Sequence, residues 1–87
     1  MFAILCYDIG VKRNEKVKKT VRKFLRPVQE SVCEGFISES KLNKLCMQLE
    51  HIIDPDEDAI AIYTTESVSV FEKRTIGQTL DNEDFIL

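Results

Sequence analysis

Phe2-Ala3-Ile4-Leu5-Cys6-Tyr7-Asp8-Ile9-Gly10 is the stretch on which the reading of the fold turns. Its first six residues are apolar or aromatic and do not alternate with polar ones. A strand of that kind has both faces covered. Helices can cover one face. In a chain of 87 residues the other face is expected to meet a partner subunit. The apolar run ends on a carboxylate, Asp8, which a two-residue period places on the face of Phe2, Ile4 and Cys6. Asp8 is either a turn residue bonded to its own loop or a working group.

Downstream, Gly10 to Arg13 reads as a loop, with Asn14 as a helix N-cap. Val17, Val21, Phe24 and Leu25 then form one helical stripe, and Pro27 is expected to stop the helix. Residues 28–38 are β-like, interrupted at Glu34-Gly35, and read as either two short strands or one bulged strand. Ser38 caps a second helix with Glu39 in its first turn, and its stripe runs through Leu42, Leu45, Cys46, Leu49, Ile52 and Ile53. The acidic stretch Asp54-Pro55-Asp56-Glu57-Asp58 ends that helix and reads as a solvated loop. Residues 59–64 form another strand of the covered type. Residues 64–67 are expected to turn the chain, and 68–77 to form a further strand.

The order β-α-β(β)-α-β-β points to one α+β domain over residues 1–87, a ferredoxin-like βαββαβ sandwich with an extra C-terminal strand. Residues 78–87 form a tail whose Phe85-Ile86-Leu87 has no place in so small a core. Its expected place is on the other protomer or on a partner. A chain this short buries only about 60–65% of its unfolded surface, so a homodimer packed through the sheets would help it.

Hydrophobic residues make up 44% and charged residues 31% of the chain, ordinary for a soluble protein. No apolar run approaches the roughly 18–20 residues of a membrane span. Met1 leads into a strand without a basic leader, and Cys6, Cys33 and Cys46 have no paired spacing. These features suggest reduced core thiols and a cytoplasmic protein with no membrane partner.

The net charge of −3 hides a strong asymmetry. Between Lys12 and Arg26 lie eight basic residues and one acid, Glu15, giving +7. The remainder holds four basic residues and fourteen acids, giving −10. Such a cationic element either is a solvated helix face or meets phosphates, and phosphate binding of this kind weakens with salt. Lys12, Arg13, Lys16 and Lys19 are the candidate nucleic-acid contacts. Asp8 is the candidate ligand for a hard cation such as Mg²⁺, which takes oxygen donors. One carboxylate per chain is thin for metal catalysis, but two-fold symmetry would bring two together. His51 falls on the water side of its helix, no zinc spacing or glycine-rich phosphate loop is present, and Cys33 has no histidine in reach. The pair Lys73-Arg74 is a solvated strand end or a further phosphate contact.

Taken in order, Tyr7-Asp8, Arg13-Asn14, Val28-Gln29, Ser31-Val32, Glu34-Gly35, Ile62-Tyr63, Ile76-Gly77 and Asp84-Phe85-Ile86-Leu87 resemble the small CRISPR-associated Cas-two family across essentially the whole chain. The resemblance implies a homodimer meeting through its sheets, with tail strands exchanged. It implies Asp8 as the family's catalytic and metal-binding acid at the dimer cleft, with Tyr7 and Ser31 beside it and Mg²⁺ as cofactor. It also implies a partnership with the Cas-one integrase in spacer acquisition, the dimer holding double-stranded DNA, and metal-dependent cleavage of RNA or duplex DNA in some members. Two departures stand out. Cys33 replaces a frequent Phe, with looser packing expected near the cleft. Lysines replace several arginines on helix one, so phosphate contacts should be less bidentate.

Three functions follow. The leading one is a nucleic-acid-binding homodimer in CRISPR adaptation. The others are a metal-dependent endonuclease and a small-ligand regulatory ferredoxin-like module.

Overall fold

The computed structural model describes residues 1–67 and 70–78, except the side chains of residues 67 and 70–73. The elements are β1 (Phe2–Asp8), α1 (Val11–Val21), β2 (Arg26–Gln29), β3 (Val32–Phe36), α2 (Glu39–Ile52), β4 (Ala59–Ser67) and β5 (Val70–Gly77). They form one five-stranded antiparallel sheet in the order β2-β3-β1-β4-β5, the expected ferredoxin-like arrangement with an added strand. The expected tail residues beyond 78 lie outside the described residues.

β1 sits at the centre of the sheet. It pairs with β3 from Phe2 opposite Phe36 to Cys6 opposite Val32. On its other edge it pairs with β4 from Phe2 opposite Thr65 to Asp8 opposite Ala59. This central position accounts for much of the unbroken apolar run: a strand lies along each edge, and the helices cover one face. Ala3, Leu5 and Tyr7 turn to the helix side, where they meet Val17, Val21, Leu42, Leu45, Leu49, Ile60 and Ile62 in the main core. Fully burying each of these larger side chains contributes about 1.5–3 kcal/mol. Cys6 turns to the other face and joins Ala59, Ala61 and Tyr63 in a second cluster, flanked by Ile4 and Val32.

α2 forms as the sequence suggests. The Ser38 hydroxyl accepts the Lys41 amide at 3.2 Å, and Leu42, Leu45, Cys46 and Leu49 are buried. α1 differs from expectation at both ends. Its N-cap is Gly10 rather than Asn14, so Lys12 and Arg13 lie in the first turn, not in a loop. The Arg13 amide closes that turn on the Gly10 carbonyl at 3.0 Å. The helix ends at Val21 and tightens into shorter bonds, Lys23 N–H to Thr20 and Phe24 N–H to Val21. Pro27 therefore does not stop α1. It lies in edge strand β2, where a missing N–H costs no interior ladder bond.

Residues 28–38 resolve into the ends of two strands with a register shift between Pro27 and Gln29, so a hairpin and an irregularity are both present. Glu34-Gly35 does not break the chain and runs inside β3. The expected turn at 64–67 is absent: these residues prolong β4 to Ser67, with a second register shift between Thr64 and Ser67. The threonines there are good strand formers, and Thr64 and Thr65 are buried.

Candidate metal and nucleic-acid site

Asp8 closes β1, opposite Ala59, and is exposed. Among the described residues no hydrogen bond or ion pair engages its carboxylate. It is thus not the self-bonded turn residue of the first alternative. Its face of the sheet carries Ile4, Cys6, Ala61, Tyr63 and Val32. Among the described residues no helix covers that face: α1 and α2 contribute their buried residues to the opposite cluster. At the far end of β1, Phe2 and Phe36 meet edge to face with ring centroids 5.1 Å apart, and Phe36 is 83% exposed.

Tyr7 points the other way. Its ring lies in the helix-side core, and its hydroxyl donates to the Glu30 carbonyl at 3.0 Å. Burial raises its pKa, which keeps it a donor at neutral pH. Ser31 stands beside it through the backbone, the Tyr7 amide donating to the Ser31 carbonyl at 3.0 Å. Tyr7 and Ser31 therefore join the β2–β3 turn to the strand end that carries Asp8, while the Tyr7 side chain does not share Asp8's face. Cys33 is buried in the same helix-side core, opposite Leu5, so its substitution bears on packing under the helices rather than on the Asp8 face.

The basic residues divide into two kinds. Lys12, Lys16 and Lys19 are exposed on α1. Their spacing sets them on one stripe of the helix. Arg13 behaves differently. Its Nε lies 2.5 Å and its Nη2 3.0 Å from the two carboxylate oxygens of Asp58, with Glu57 at 3.8 Å. Two guanidinium nitrogens expected to face phosphate are thus turned inward.

Asp58 is the residue the sequence reading missed. It was expected in a solvated acidic loop, yet it is 0% exposed. Besides Arg13, its oxygens accept the Gly10 amide at 2.8 Å and the Asp54 amide at 2.9 Å. The Arg13 guanidinium, followed by these amides, holds its carboxyl well below the usual carboxylate range against the opposing effect of burial. Asp54 and Glu57 bracket it on the wetter side of the loop, and Asp56 donates its amide to the Asp54 side chain.

Other candidates separate cleanly. His51 is exposed, as expected. Arg74 donates to Asn43 at 3.2 Å and to Glu39 at 3.4 Å, and so ties β5 to α2. Cys6, Cys33 and Cys46 are free and buried, and burial pushes all three thiols up. A cavity of about 770 Å³, with Lys23, Phe24, Ser38, Lys41 and Lys44 in its lining, opens near Met1, at the end of β1 away from Asp8. Among the described residues, no three His, Cys, Asp or Glu side chains gather as a metal cluster, and no helix is long and apolar enough to cross a membrane.

The family model for CRISPR associated protein Cas2 matches residues 1–73. The CRISPR-associated endoribonuclease Cas2 of Thermotoga maritima is 38% identical over 86 residues, covering 99% of both chains. A crystal structure of Cas2 superposes with a TM-score of 0.70 at 36% identity, over 72% of this chain and 71% of that one. Streptococcus pyogenes Cas2, crystallised at pH 6.5, gives a TM-score of 0.69 at 27% identity, over 75% and 86% of the two chains.

Proposed function

We propose, from the premise that this chain belongs to the Cas2 family, that it is a nucleic-acid-binding homodimer of CRISPR adaptation, acting in the cytoplasm with the Cas-one integrase in spacer acquisition. The observation that carries this reading is the adjacency of two features: the unengaged Asp8 carboxylate at the end of β1, and the lysine stripe that begins four residues later with Lys12. The second apolar cluster, on the face opposite α1 and α2, supports dimerisation through the sheets, which would set two Asp8 side chains near one axis. Lys12, Lys16 and Lys19 would contact the phosphates of a duplex, DNA or RNA, as point charges. Arg13 supports them by fixing the first turn of α1.

A second reading, metal-dependent endonuclease activity, is favoured by the donor set itself. An exposed carboxylate that no described residue bonds suits Mg²⁺, which is commonly held by one or two carboxylates with phosphate and water completing its shell. The two Asp8 residues of a dimer would hold it. When bound, such an ion neutralises charge building on a phosphate and acidifies a water. Asp8 would orient that centre, and the α1 lysines would hold the phosphodiester against it.

Duplex binding measured across a salt series tests the proposal. Binding should survive EDTA and Asp8→Asn, and should fall steeply with salt. Each of Lys12, Lys16 and Lys19 changed to Gln should lower the slope of log affinity against log salt by about 1. Unchanged binding in the triple variant removes α1 as the contact face. Cleavage belongs to the chain only if it is lost both with EDTA and in Asp8→Asn. Co-purification with the Cas-one protein tests the partnership, and its failure would leave the endonuclease reading ahead.

A further inference from the structure

We propose that Asp58 is a positioning residue for Asp8: it fixes the direction in which the Asp8 carboxylate leaves the sheet. The inference rests on the reading of Asp8 as a metal ligand.

Four donors converge on the two oxygens of this one buried side chain. The Gly10 amide and Arg13 Nη2 reach Oδ1 at 2.8 and 3.0 Å. Arg13 Nε and the Asp54 amide reach Oδ2 at 2.5 and 2.9 Å. The backbone of Asp58 is engaged as well: its amide donates to the Asp54 carbonyl, and its carbonyl accepts the Gln78 amide, both at 2.8 Å. Gly77, at φ 85°, packs so closely that an added Cβ would run into the Asp58 carbonyl.

These bonds surround Asp8. Gly10 follows it by two residues. Arg13 stands in the first turn of the helix that the same loop enters. Ala59, the residue after Asp58, is the cross-strand partner of Asp8. Asp58 thus holds the chain just beyond Asp8 and just across from it, and braces both against the ends of α2 and β5. Among the described residues nothing bonds the Asp8 side chain itself, so its aim depends on the backbone that Asp58 holds.

Packing alone does not account for such a group. A buried carboxylate is costly unless every oxygen is bonded, and a buried ion pair is often no more stabilising than apolar side chains of the same volume. Fixing direction is a task that apolar packing performs poorly and directional bonds perform well. Mg²⁺ demands near-ideal octahedral geometry, and residues behind a metal ligand commonly set its affinity.

The test uses Mn²⁺ alone as probe, with the folded full-length protein well below its melting temperature, and follows amide hydrogen exchange at Ile9 and Gly10. Asp58→Ala should release those amides and lower Mn²⁺ affinity by roughly 10–100-fold. Asp58→Asn keeps an oxygen for the Gly10 amide and should lose less, and it carries the test if the alanine variant does not fold. Adding Asp58→Ala to Asp8→Asn should lower affinity no further than Asp8→Asn does. Released amides with wild-type Mn²⁺ affinity would overturn the proposal and leave Asp58 a structural residue. Equal Mn²⁺ binding by wild type and Asp8→Asn would instead sink the metal reading of Asp8. The Asp8 carboxyl carbon resonance then decides the positioning separately: movement in Asp58→Asn sustains it, and an unmoved signal overturns it.

Discussion

Arginines tie α2 down at both ends, and the two ties are built from the same groups in opposite surroundings. Arg13 reaches the loop after α2 and meets Asp58, which has no solvent exposure. Arg74 reaches the first turns of α2 and meets Glu39, whose side chain is 65% exposed. At the first corner the carboxylate is filled by four donors and cannot rearrange. At the second, a 3.4 Å contact competes with water. The lesson is that burial and complete bonding, rather than the pairing of charges, turn an ion pair into a constraint. Only the first corner lies beside Asp8.

Removing the buried acid should break the contrast most sharply. Asp58→Ala leaves Arg13 and two backbone amides facing a void, and denaturant unfolding should report a loss of about 3–5 kcal/mol. If the loss is under about 1 kcal/mol, the corner is no stronger than the edge. Acid should expose the same difference gradually. The folded carboxyl of Asp58 sits below its ordinary 3.8. At acid pH the unfolded chain therefore takes up the proton first. The contribution of Asp58 is complete above about pH 5 and drains away as pH falls through 3.8 toward the lower folded value. The stability gap between wild type and Asp58→Asn should accordingly narrow below pH 4 and stay flat from pH 6 to 8. A gap that widens in acid would contradict the assignment.

Gly77→Ala attacks the corner from β5. It combines a left-handed backbone with a Cβ directed at the Asp58 carbonyl, and a loss of about 1–3 kcal/mol is expected. The smallest effect belongs to the edge. Arg74→Ala should cost about 0–1 kcal/mol, and 1 M salt should erase most of it while leaving the Asp58→Ala loss nearly intact. Equal salt sensitivity at the two sites would abolish the distinction.

The sequence was informative where a local pattern had a local cause. The unbroken apolar run of β1, the stripe of α2 and the Ser38 cap each follow from neighbours in the chain. Asp8 stood out for the same reason, as a carboxylate ending an unbroken apolar strand. Reading failed where the cause lay far away. Asn14 has the better capping side chain, but α1 takes Gly10 as its N-cap, which places Arg13 in the first turn facing Asp58, 45 residues on. The loop at 54–58 is acidic in composition, and composition averages over five residues while only Asp58 turns inward. Residues 64–67 read as a turn, yet they continue a strand paired with β1 as far as Thr65 and with β5 as far as Ser67.

The sealed thiols make the chain a convenient chemical probe of itself. Cys6 and Cys33 are 1% exposed and Cys46 8%, and burial disfavours the thiolate of each. Since the thiolate is the reacting species, maleimides should pass over all three in the folded protein. A single cysteine placed at Val11, which is 94% exposed and three residues from Asp8, would then be the one site to take a nitroxide label. In a symmetric pair of chains the two labels report one separation, and that separation says directly whether the two Asp8 ends face each other.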